Sequence, residues 1–217
     1  MSKSKWSIDS IPKFNDGKVA IVTGANSGLG YETTKALASK NMEVVMASRN
    51  RSKVENAIKS IRAEVPNAKL KFIELDLNSL DSVRKFADNF KQRYHTLDYL
   101  VNNAGLMMPP YGKTEDGFEQ QFGVNYLGHF LLTGLLLETL KKSNSRVVTI
   151  SSMAHKWGDI YFDDINFENN YDKRKSYGQS KLACLIFAYE LQRRAEAKDL
   201  PVKSLAAHPG ISSTNLV

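Results

Sequence analysis

Six short apolar runs rich in β-branched residues alternate along the chain with segments whose apolar residues recur at helical spacing. The runs are KVAIVT (18–23), EVVMA (43–47), LKFIE (70–74), LDYLV (97–101), RVVTI (146–150) and VKSLAA (202–207), and the helical segments are 28–39, 52–64, 80–93, 118–141 and 177–197. Strict alternation of strand and helix predicts a parallel sheet covered by helices on both faces. We therefore expect an α/β fold, a doubly wound, Rossmann-like parallel sheet in three α/β/α layers, formed by one domain over residues 1–217.

Charge and cysteine content narrow the class of protein. The 217 residues carry a formal net charge of +7, but acids lie between the lysines and arginines, and the densest basic run is only DKRK at 172–175. This pattern favours a solvated surface over nucleic-acid binding, and the excess charge suits an anionic cofactor. The single cysteine, Cys184, excludes an internal disulfide and favours the cytoplasm. The apolar stretch FLLTGLLLETL is too short for a membrane span.

The first predicted strand ends in the glycine-rich turn TGANSGLG, which opens a predicted helix. Gly24 permits a tight turn off the strand, Gly28 lets the backbone approach a pyrophosphate, and Gly30 allows close helix packing. The positive N-terminus of the helix adds attraction for phosphate. We predict that this loop binds a dinucleotide through its three glycines and the residues between them, Asn26, Ser27 and Leu29.

The residues at the ends of the next strands bear on the choice of cofactor. The second strand is followed by Arg49 where an NAD-specific site usually carries an acid, and an arginine suits the extra phosphate of NADP. We therefore predict NADP(H), with a solvated arginine at a helix start as the alternative. Asp76, which precedes Leu77 after the third strand, is suited equally to the adenine amino group and to capping a helix. The fourth strand ends in NNAG, and its residues Asn103, Ala104 and Gly105 are expected beside the cofactor ribose.

Taken in order, TGANSGLG, NNAG, FGVNYLGHF, VVTISS, YGQSK and HPG resemble the short-chain dehydrogenase/reductase family, and most closely its retinol dehydrogenase-like branch, over residues 18–214. The resemblance implies hydride transfer between a nicotinamide cofactor and a carbonyl or alcohol. It implies the catalytic residues Asn125, Ser152, Tyr177 and Lys181, with Ser151 as the less favoured alternative to Ser152. It also implies nicotinamide contacts from Pro209, Gly210 and Thr214. Tyr177 and Lys181 are expected to bind the cofactor as well, Lys181 through the ribose next to the nicotinamide.

Three tyrosines are followed by a lysine four residues later, namely Tyr31/Lys35, Tyr171/Lys175 and Tyr177/Lys181. The third pair is the predicted catalytic one, because it lies one helical turn apart on a helix that begins near residue 176, soon after the strand that delivers Ser152. The first pair lies behind the phosphate loop and the second in a polar loop, so both are expected to be coincidences. We expect Lys181 to lower the pKa of Tyr177 toward neutral pH, and the Ser152 hydroxyl to hold the substrate oxygen.

The segment between Ser152 and Tyr177, MAHKWGDIYFDDINFENN, is longer than is usual in the family and mixes aromatic with acidic residues. Together with Met107 and Met108 it predicts a pocket for a bulky hydrophobic aldehyde, ketone or alcohol, with a solvated loop as the alternative. Two further residues receive structural interpretations. His129 is expected to pack at a helix face, and Cys184 to lie in the core.

The last part of the family pattern lies beyond this sequence. Relatives continue through a substrate-covering helix and a seventh strand, whereas the chain stops at Val217. We therefore expect an incomplete substrate pocket and an open edge at the sixth strand, as in a fragment or the ordered part of a longer protein. A non-catalytic NADP(H)-binding regulatory or structural protein is the alternative function. The family's long helices, here near 118–141 and 177–197, often form dimers, so a homodimer is expected.

Overall fold

The structure is a computed structural model of the 217-residue chain and describes residues 7–14 and 17–210. Its described strands form a sheet in the order β3-β2-β1-β4-β5-β6, and every neighbouring pair is parallel. The strands are β1 (Val19–Thr23), β2 (Glu43–Ser48), β3 (Lys69–Glu74), β4 (Tyr99–Asn102), β5 (Ser145–Ile150) and β6 (Val202–Ala207). The predicted doubly wound sheet is confirmed, and its strand order reverses between β1 and β4.

The helices follow the predicted pattern with two differences. They are α1 (Gly28–Ser39), α2 (Arg51–Glu64), α3 (Leu80–Arg93), α4 (Gln120–Phe122), α5 (Gly128–Leu140) and α6 (Lys173–Ala197). A π-helical turn, Gly123–Leu127, joins α4 to α5 inside the segment predicted as one regular helix. Helix α6 begins at residue 173 rather than near 176, because the Asp172 carboxylate accepts hydrogen bonds from the backbone N–H groups of Arg174 (2.8 Å) and Lys175 (3.0 Å).

Two apolar clusters lie on opposite faces of the sheet. One packs β-strand side chains against α3, α5 and α6, with Phe86, Phe90 and Leu136 among its buried members. The other packs the opposite face against α1 and α2, with Val54 and Ile61 buried. The predicted three layers are therefore confirmed, and the carboxyl ends of the strands are left for a ligand site.

Strand β6 lies at the edge of the sheet, paired only with β5 among the described residues. Val202 and Ser204 are buried, whereas the Leu205 side chain is 47% exposed. The expected open edge at the sixth strand is therefore present in the described part of the chain.

Helix α1 starts directly against the ends of β1 and β4, and two glycines make this approach possible. Gly24 has a φ of +66°, in the left-handed region that glycine adopts without a steric penalty. A Cβ atom at Gly30 would overlap the Gly24 carbonyl oxygen and lie 2.7 Å from the Asn103 side-chain nitrogen. The glycine loop therefore holds α1, β1 and the loop after β4 in direct contact.

Substituting these glycines tests this close approach. Gly30→Ala should destabilise the protein by roughly 1 to 3 kcal/mol, because backbone has to move to make room for the methyl group. Gly134→Ala is the matched control in an exposed part of α5, where a Cβ atom would meet nothing within 4 Å. The control should stabilise by about 0.5 to 1 kcal/mol through helix propensity. Urea unfolding measures both, and equal effects of the two substitutions would contradict the packing argument.

Candidate active site

The loop after β4 is fixed to the end of β1 by the side chain of Thr23. The Thr23 hydroxyl oxygen accepts hydrogen bonds from the backbone N–H groups of Asn103 and Ala104, both at 2.9 Å. The Asn103 side chain donates in return to the Thr23 carbonyl at 2.8 Å. Two predicted cofactor residues are thus locked at the point where the strand order reverses, which is where doubly wound sheets bind ligands.

The glycine loop presents a helix N-terminus that suits a phosphate. Ser27, the N-cap residue of α1, forms no side-chain capping hydrogen bond within the described residues, and the first turn of α1 contains no acid. Gly28 has a φ of +53°, and the loop is tied to the end of β2 because the Ser48 hydroxyl donates to the Asn26 side chain at 2.7 Å. The first N–H groups of α1 are therefore without a side-chain cap at its positive end, an arrangement that fits the pyrophosphate of a dinucleotide.

Arg49 is exposed directly after β2, and Asn50 rather than Arg49 caps α2, accepting from the Lys53 N–H at 3.0 Å. The Arg49 guanidinium is therefore accessible to an anion at the same edge of the sheet as the glycine loop. A solvated arginine has the same exposure, so both interpretations from the sequence stay open.

Asp76 and Leu77 differ from what the sequence suggested. Ser79 is the N-cap residue of α3, and Asp76 instead accepts a hydrogen bond from the Asn78 N–H at 2.9 Å, so the capping alternative for Asp76 is wrong. Leu77 is buried beneath α5, where a Cβ atom at Gly128 would lie 2.9 Å from its side chain. Only the backbone of Leu77 remains for a cofactor contact.

Three of the four predicted catalytic residues meet at the end of β5. Tyr177 and Lys181 are buried one turn apart on α6, and the Ser152 side chain lies beside the Tyr177 hydroxyl. The Lys181 ammonium donates to the Ile150 carbonyl at 3.1 Å and lies 5.8 Å from the centre of the Tyr177 ring. Ser151 instead donates to the Lys181 carbonyl at 2.8 Å, so it holds α6 against β5 and leaves Ser152 as the serine beside the tyrosine.

The pKa values in this group differ from the sequence-based expectation. Burial raises the pKa of Tyr177 above its ordinary value, and the neighbouring Ser152 side chain opposes that rise. Burial also lowers the pKa of Lys181. The expectation that Lys181 brings the pKa of Tyr177 toward neutral pH is therefore wrong for this structure, because the ammonium is engaged with the Ile150 carbonyl and burial dominates. Tyr177 is protonated at neutral pH, the state from which it can donate a proton to a carbonyl oxygen.

Asn125 lies in the π-helical turn, and both its amide nitrogen and its amide oxygen are hydrogen-bonded within the protein. Its oxygen accepts from the Leu106 N–H at 2.7 Å, and its nitrogen donates to the Leu106 carbonyl at 3.0 Å and to the Ser180 hydroxyl at 2.9 Å. The buried amide is thus satisfied, as a polar group in an apolar helix must be. In this arrangement Asn125 joins the loop after β4 to α6 beside Lys181.

Gly105 brings the backbone close to these residues. A Cβ atom at Gly105 would lie 3.0 Å from the Asn125 side-chain oxygen and 3.6 Å from the Lys181 nitrogen. A bulkier residue would separate the loop from the lysine. Pro209 and Gly210 follow β6 and are exposed, whereas Thr214 lies outside the described residues.

His129 has a more specific environment than packing at a helix face. It is fully buried, with Nε2 at 2.9 Å from the Thr23 hydroxyl and Nδ1 at 2.9 Å from the Asn125 carbonyl oxygen. The sequence signal was a histidine immediately before the apolar run FLLTGLLL, one helical turn after Asn125. Cys184 is buried as expected, and its thiol donates to the same carbonyl at 3.3 Å.

The segment between Ser152 and Tyr177 is anchored to α6 at two points. Gln179 is fully buried, accepts from the Tyr161 N–H at 2.9 Å and donates to the Ile165 carbonyl at 3.0 Å. A Cβ atom at Gly158 would overlap the Gly178 carbonyl, so the backbone of the segment touches the backbone of α6 next to Tyr177. These contacts contradict the solvated-loop alternative for this part of the segment.

A second buried glutamine, Gln121, holds the end of the same segment. Its side-chain nitrogen donates to the Tyr171 hydroxyl at 3.1 Å, and its oxygen accepts from the Met108 N–H at 2.8 Å. The Tyr171 hydroxyl donates to the Pro109 carbonyl at 2.9 Å. Both Tyr171 and Lys175 are predicted from the sequence to lie in a polar loop without a structural role. This is wrong, because Tyr171 connects two loops and Lys175 lies in the first turn of α6.

The fold and these contacts define a class of protein in which a Rossmann sheet carries a dinucleotide loop and a Ser-Tyr-Lys group at one edge. The model of the short chain dehydrogenase family matches residues 18–217. The chain belongs to this family of short-chain dehydrogenases, whose members use nicotinamide cofactors.

Named relatives agree with the retinol dehydrogenase-like branch. The chain is 45% identical over 204 residues to human polyprenol dehydrogenase, covering 92% of this chain and 62% of the relative. It is 48% identical over 219 residues to human retinol dehydrogenase 14, covering 94% of this chain and 65% of the relative. The chain thus spans less than two thirds of the length of these relatives, and the resemblance to their branch is confirmed.

A solved structure supports the fold at similar identity. An uncharacterised protein from Mycobacterium paratuberculosis superposes with a TM-score of 0.86 and 47% identity, covering 97% of this chain and 74% of that chain.

Among residues 7–14 and 17–210, none of the helices combines the length and hydrophobicity that a bilayer crossing requires.

The buried imidazole of His129 makes stability depend on pH. Burial, with the nearby charge of Lys181, lowers the pKa of His129 from 6.5 to about 4. Above pH 6.5 the ring is neutral in both folded and unfolded protein, whereas below it only the unfolded chain readily takes up the proton. Stability should therefore fall as the pH falls, by about 2 kcal/mol at pH 5.

Urea unfolding at pH 7.5 and pH 5 measures this effect. The wild type should lose about 2 kcal/mol more over this interval than His129→Asn, which lacks the titrating ring. His95→Asn, which removes an exposed histidine, is the control and should lose as much as the wild type. Identical losses in wild type and His129→Asn would show that His129 does not titrate in this way.

Proposed function

We propose that the chain is an NADP(H)-dependent oxidoreductase that transfers a hydride between the nicotinamide and the carbonyl or alcohol carbon of a bulky hydrophobic molecule. The observation that carries the proposal is the contact between the Ser152 and Tyr177 hydroxyls, with Lys181 one turn away and the Gly105 backbone beside it. This group lies at the edge of the sheet where the glycine loop presents a helix N-terminus.

The protein residues divide the work of the reaction between them. In the reducing direction, Ser152 donates a hydrogen bond to the substrate oxygen, and Tyr177 gives that oxygen its proton. The nicotinamide, when bound, supplies the hydride. The carbonyl carbon of the substrate thus gains the hydride, and its oxygen gains the proton. The Lys181 charge offsets the negative charge left on Tyr177. Both N–H groups of the Asn125 amide donate within the protein, and its oxygen accepts from Leu106, so we assign Asn125 the role of fixing the loop to α6.

The remaining candidate residues are assigned to the dinucleotide. We assign the pyrophosphate to the glycine loop (Gly24, Asn26, Ser27, Gly28, Leu29 and Gly30), the adenine to Asp76 with the Leu77 backbone, and the ribose near the nicotinamide to Asn103, Ala104 and Gly105. Lys181 is also assigned to this ribose. Pro209, Gly210 and Thr214 are assigned to the nicotinamide on the family resemblance. The presence of Arg49 directly after β2, where an NAD-specific site usually carries an acid, supports NADP(H) over NAD(H).

The substrate proposal rests on the anchored segment and the loop that faces it. Met107, Met108 and Tyr161 are half-buried, and Trp157 is 57% exposed. Relatives are named for retinol and polyprenol, both hydrophobic alcohols. The same classes of molecule, bulky hydrophobic alcohols and their aldehydes or ketones, are proposed here. The assembly of Ser152, Tyr177 and Lys181 supports this activity over a non-catalytic role.

Self-association through α5 and α6 is proposed on their exposed aromatic face. Phe130 on α5 is 51% exposed, and Ile186 and Tyr189 on α6 are 49% and 71% exposed. Phe130 and Phe187 stack edge to face between the two helices, so the apolar surface is continuous. A second copy of the chain could cover this face in a homodimer.

We also propose that residues 1–217 form one dinucleotide-binding domain. We propose a cytoplasmic location because the single cysteine is free and buried.

The cofactor preference is tested by Arg49→Asp. Loss of a charge-assisted bond and gain of a repelling carboxylate should weaken NADPH binding about 10- to 100-fold and NADH binding much less. Arg174→Asp, in the exposed first turn of α6, is the matched control and should change neither. Fluorescence titration with both cofactors measures the dissociation constants. Equal loss of NADPH and NADH binding would remove the basis for NADP selectivity.

The proton donor is tested by Tyr177→Phe. Turnover of decanal with NADPH should fall by at least about 100-fold, because the acid is lost while the ring that fills the site is kept. NADPH binding should stay within about threefold of wild type. Tyr31→Phe, in another tyrosine-lysine pair, is the control and should turn over decanal normally. Retained turnover in Tyr177→Phe would end the assignment of this residue as the acid.

A further inference from the structure

His129 sits at the junction of the elements that carry the candidate site. Its ring joins Thr23, at the end of β1, to the carbonyl of Asn125 in the π-helical turn, with both distances at 2.9 Å. Thr23 in turn holds the N–H groups of Asn103 and Ala104. The imidazole is therefore the direct link between the loop that faces the cofactor and the turn that carries Asn125.

The partners fix where the ring proton lies. The Asn125 oxygen is a carbonyl and can only accept, so Nδ1 carries the proton and donates it. The neutral ring then has Nε2 as an acceptor, and the Thr23 hydroxyl donates to it. The same hydroxyl has a longer alternative acceptor, the Val101 carbonyl at 3.3 Å. With two N–H groups accepted and one proton donated, Thr23 is fully satisfied in this arrangement.

The link continues from Asn125 to the reactive lysine. The Asn125 amide nitrogen donates to the Ser180 hydroxyl, and Ser180 precedes Lys181 on α6. The Cys184 thiol donates to the same Asn125 carbonyl that accepts from His129. A displacement of the π-helical turn would therefore be felt at Lys181 and at the Leu106 backbone together.

Filling space does not explain a histidine at this position. Most neighbouring residues of α5 are apolar, and a leucine would occupy a similar volume without the cost of burying two ring nitrogens. That cost is offset because both nitrogens have partners. What the imidazole provides, and leucine cannot, is a connection between two polar groups on different elements.

We propose that His129 is a positioning residue for hydride transfer, which sets the loop 103–106 and Lys181 at their working separation through its bonds to Thr23 and Asn125. The inference rests on the proposed function for its kinetic consequence. The hydrogen-bonded link itself is independent of that function and has its own test.

The kinetic test uses two substitutions of His129 and one control. His129→Leu removes both bonds, and His129→Asn keeps a donor near the position of Nδ1. His129→Leu should lower kcat with decanal and NADPH at least about tenfold, with KM values within about threefold, because misplacement acts on the reacting geometry. His129→Asn should recover kcat to within about threefold of wild type. His95→Asn should match wild type.

A loss of thermal stability in both variants with unchanged kcat would overturn the positioning role. So would failure of His129→Asn to recover more activity than His129→Leu. The split between kcat and KM and the recovery by asparagine are results that a purely structural role would not produce.

The link is tested without turnover by 15N NMR of the histidine rings in the full wild-type chain at pH 7. The His129 ring should be the neutral tautomer protonated at Nδ1, and a ring protonated at Nε2 would overturn the inference. Hydrogen exchange of the Leu106 amide should be slow in wild type and faster in His129→Leu. If the wild type does not reduce decanal while these NMR results hold, the proposed function fails for this substrate and the link stands.

Discussion

The hydroxyl of Thr23 is the interaction on which the rest of the site depends. At the end of β1 it binds two backbone N–H groups of the loop after β4 and contacts the imidazole of α5. Parallel strands pair through their backbones, but nothing in that pairing fixes the loops beyond their carboxyl ends. Here the buried Thr23 side chain, with one donor and two acceptor positions, fixes the loop after β4. Through His129 it also connects this loop and the start of the glycine loop to the π-helical turn.

Burial governs the electrostatics of the reactive residues. It raises the pKa of Tyr177 and lowers that of Lys181, so both groups are moved toward their neutral forms. Burial thus favours the protonated form of the tyrosine, and the Ile150 carbonyl accepts a hydrogen bond from the lysine nitrogen. Any negative charge that develops on the tyrosine is the partner that would make the lysine charge favourable.

The sequence predicted the parts of the molecule that depend on local pattern. Strand and helix periodicity located the sheet and its helices, and the glycine loop and the Tyr177/Lys181 pair followed from motif and position. The roles of Gln121, Gln179 and His129 could not be predicted, because each depends on partners distant in sequence. The π-helical turn was not predicted, and the Asp172 cap was missed although its partners, the N–H groups of Arg174 and Lys175, lie two and three residues away. The pKa shift of Tyr177 was predicted in the wrong direction, since the balance between burial and a neighbouring charge is decided by packing.

The contact between Gly158 and Gly178 fixes the inner part of the segment that follows Ser152 and leaves its outer part free to vary. Its first turn is pressed against α6 beside Tyr177, with no room for a side chain at either position, whereas its outer residues such as Phe162 are in solvent. The outer residues can therefore be altered while the backbone contact beside Tyr177 is preserved. The segment thus combines a fixed attachment to α6 with an outer surface that tolerates substitution. If the proposed function is correct, the outer residues are the first positions to vary when a different range of substrates is wanted.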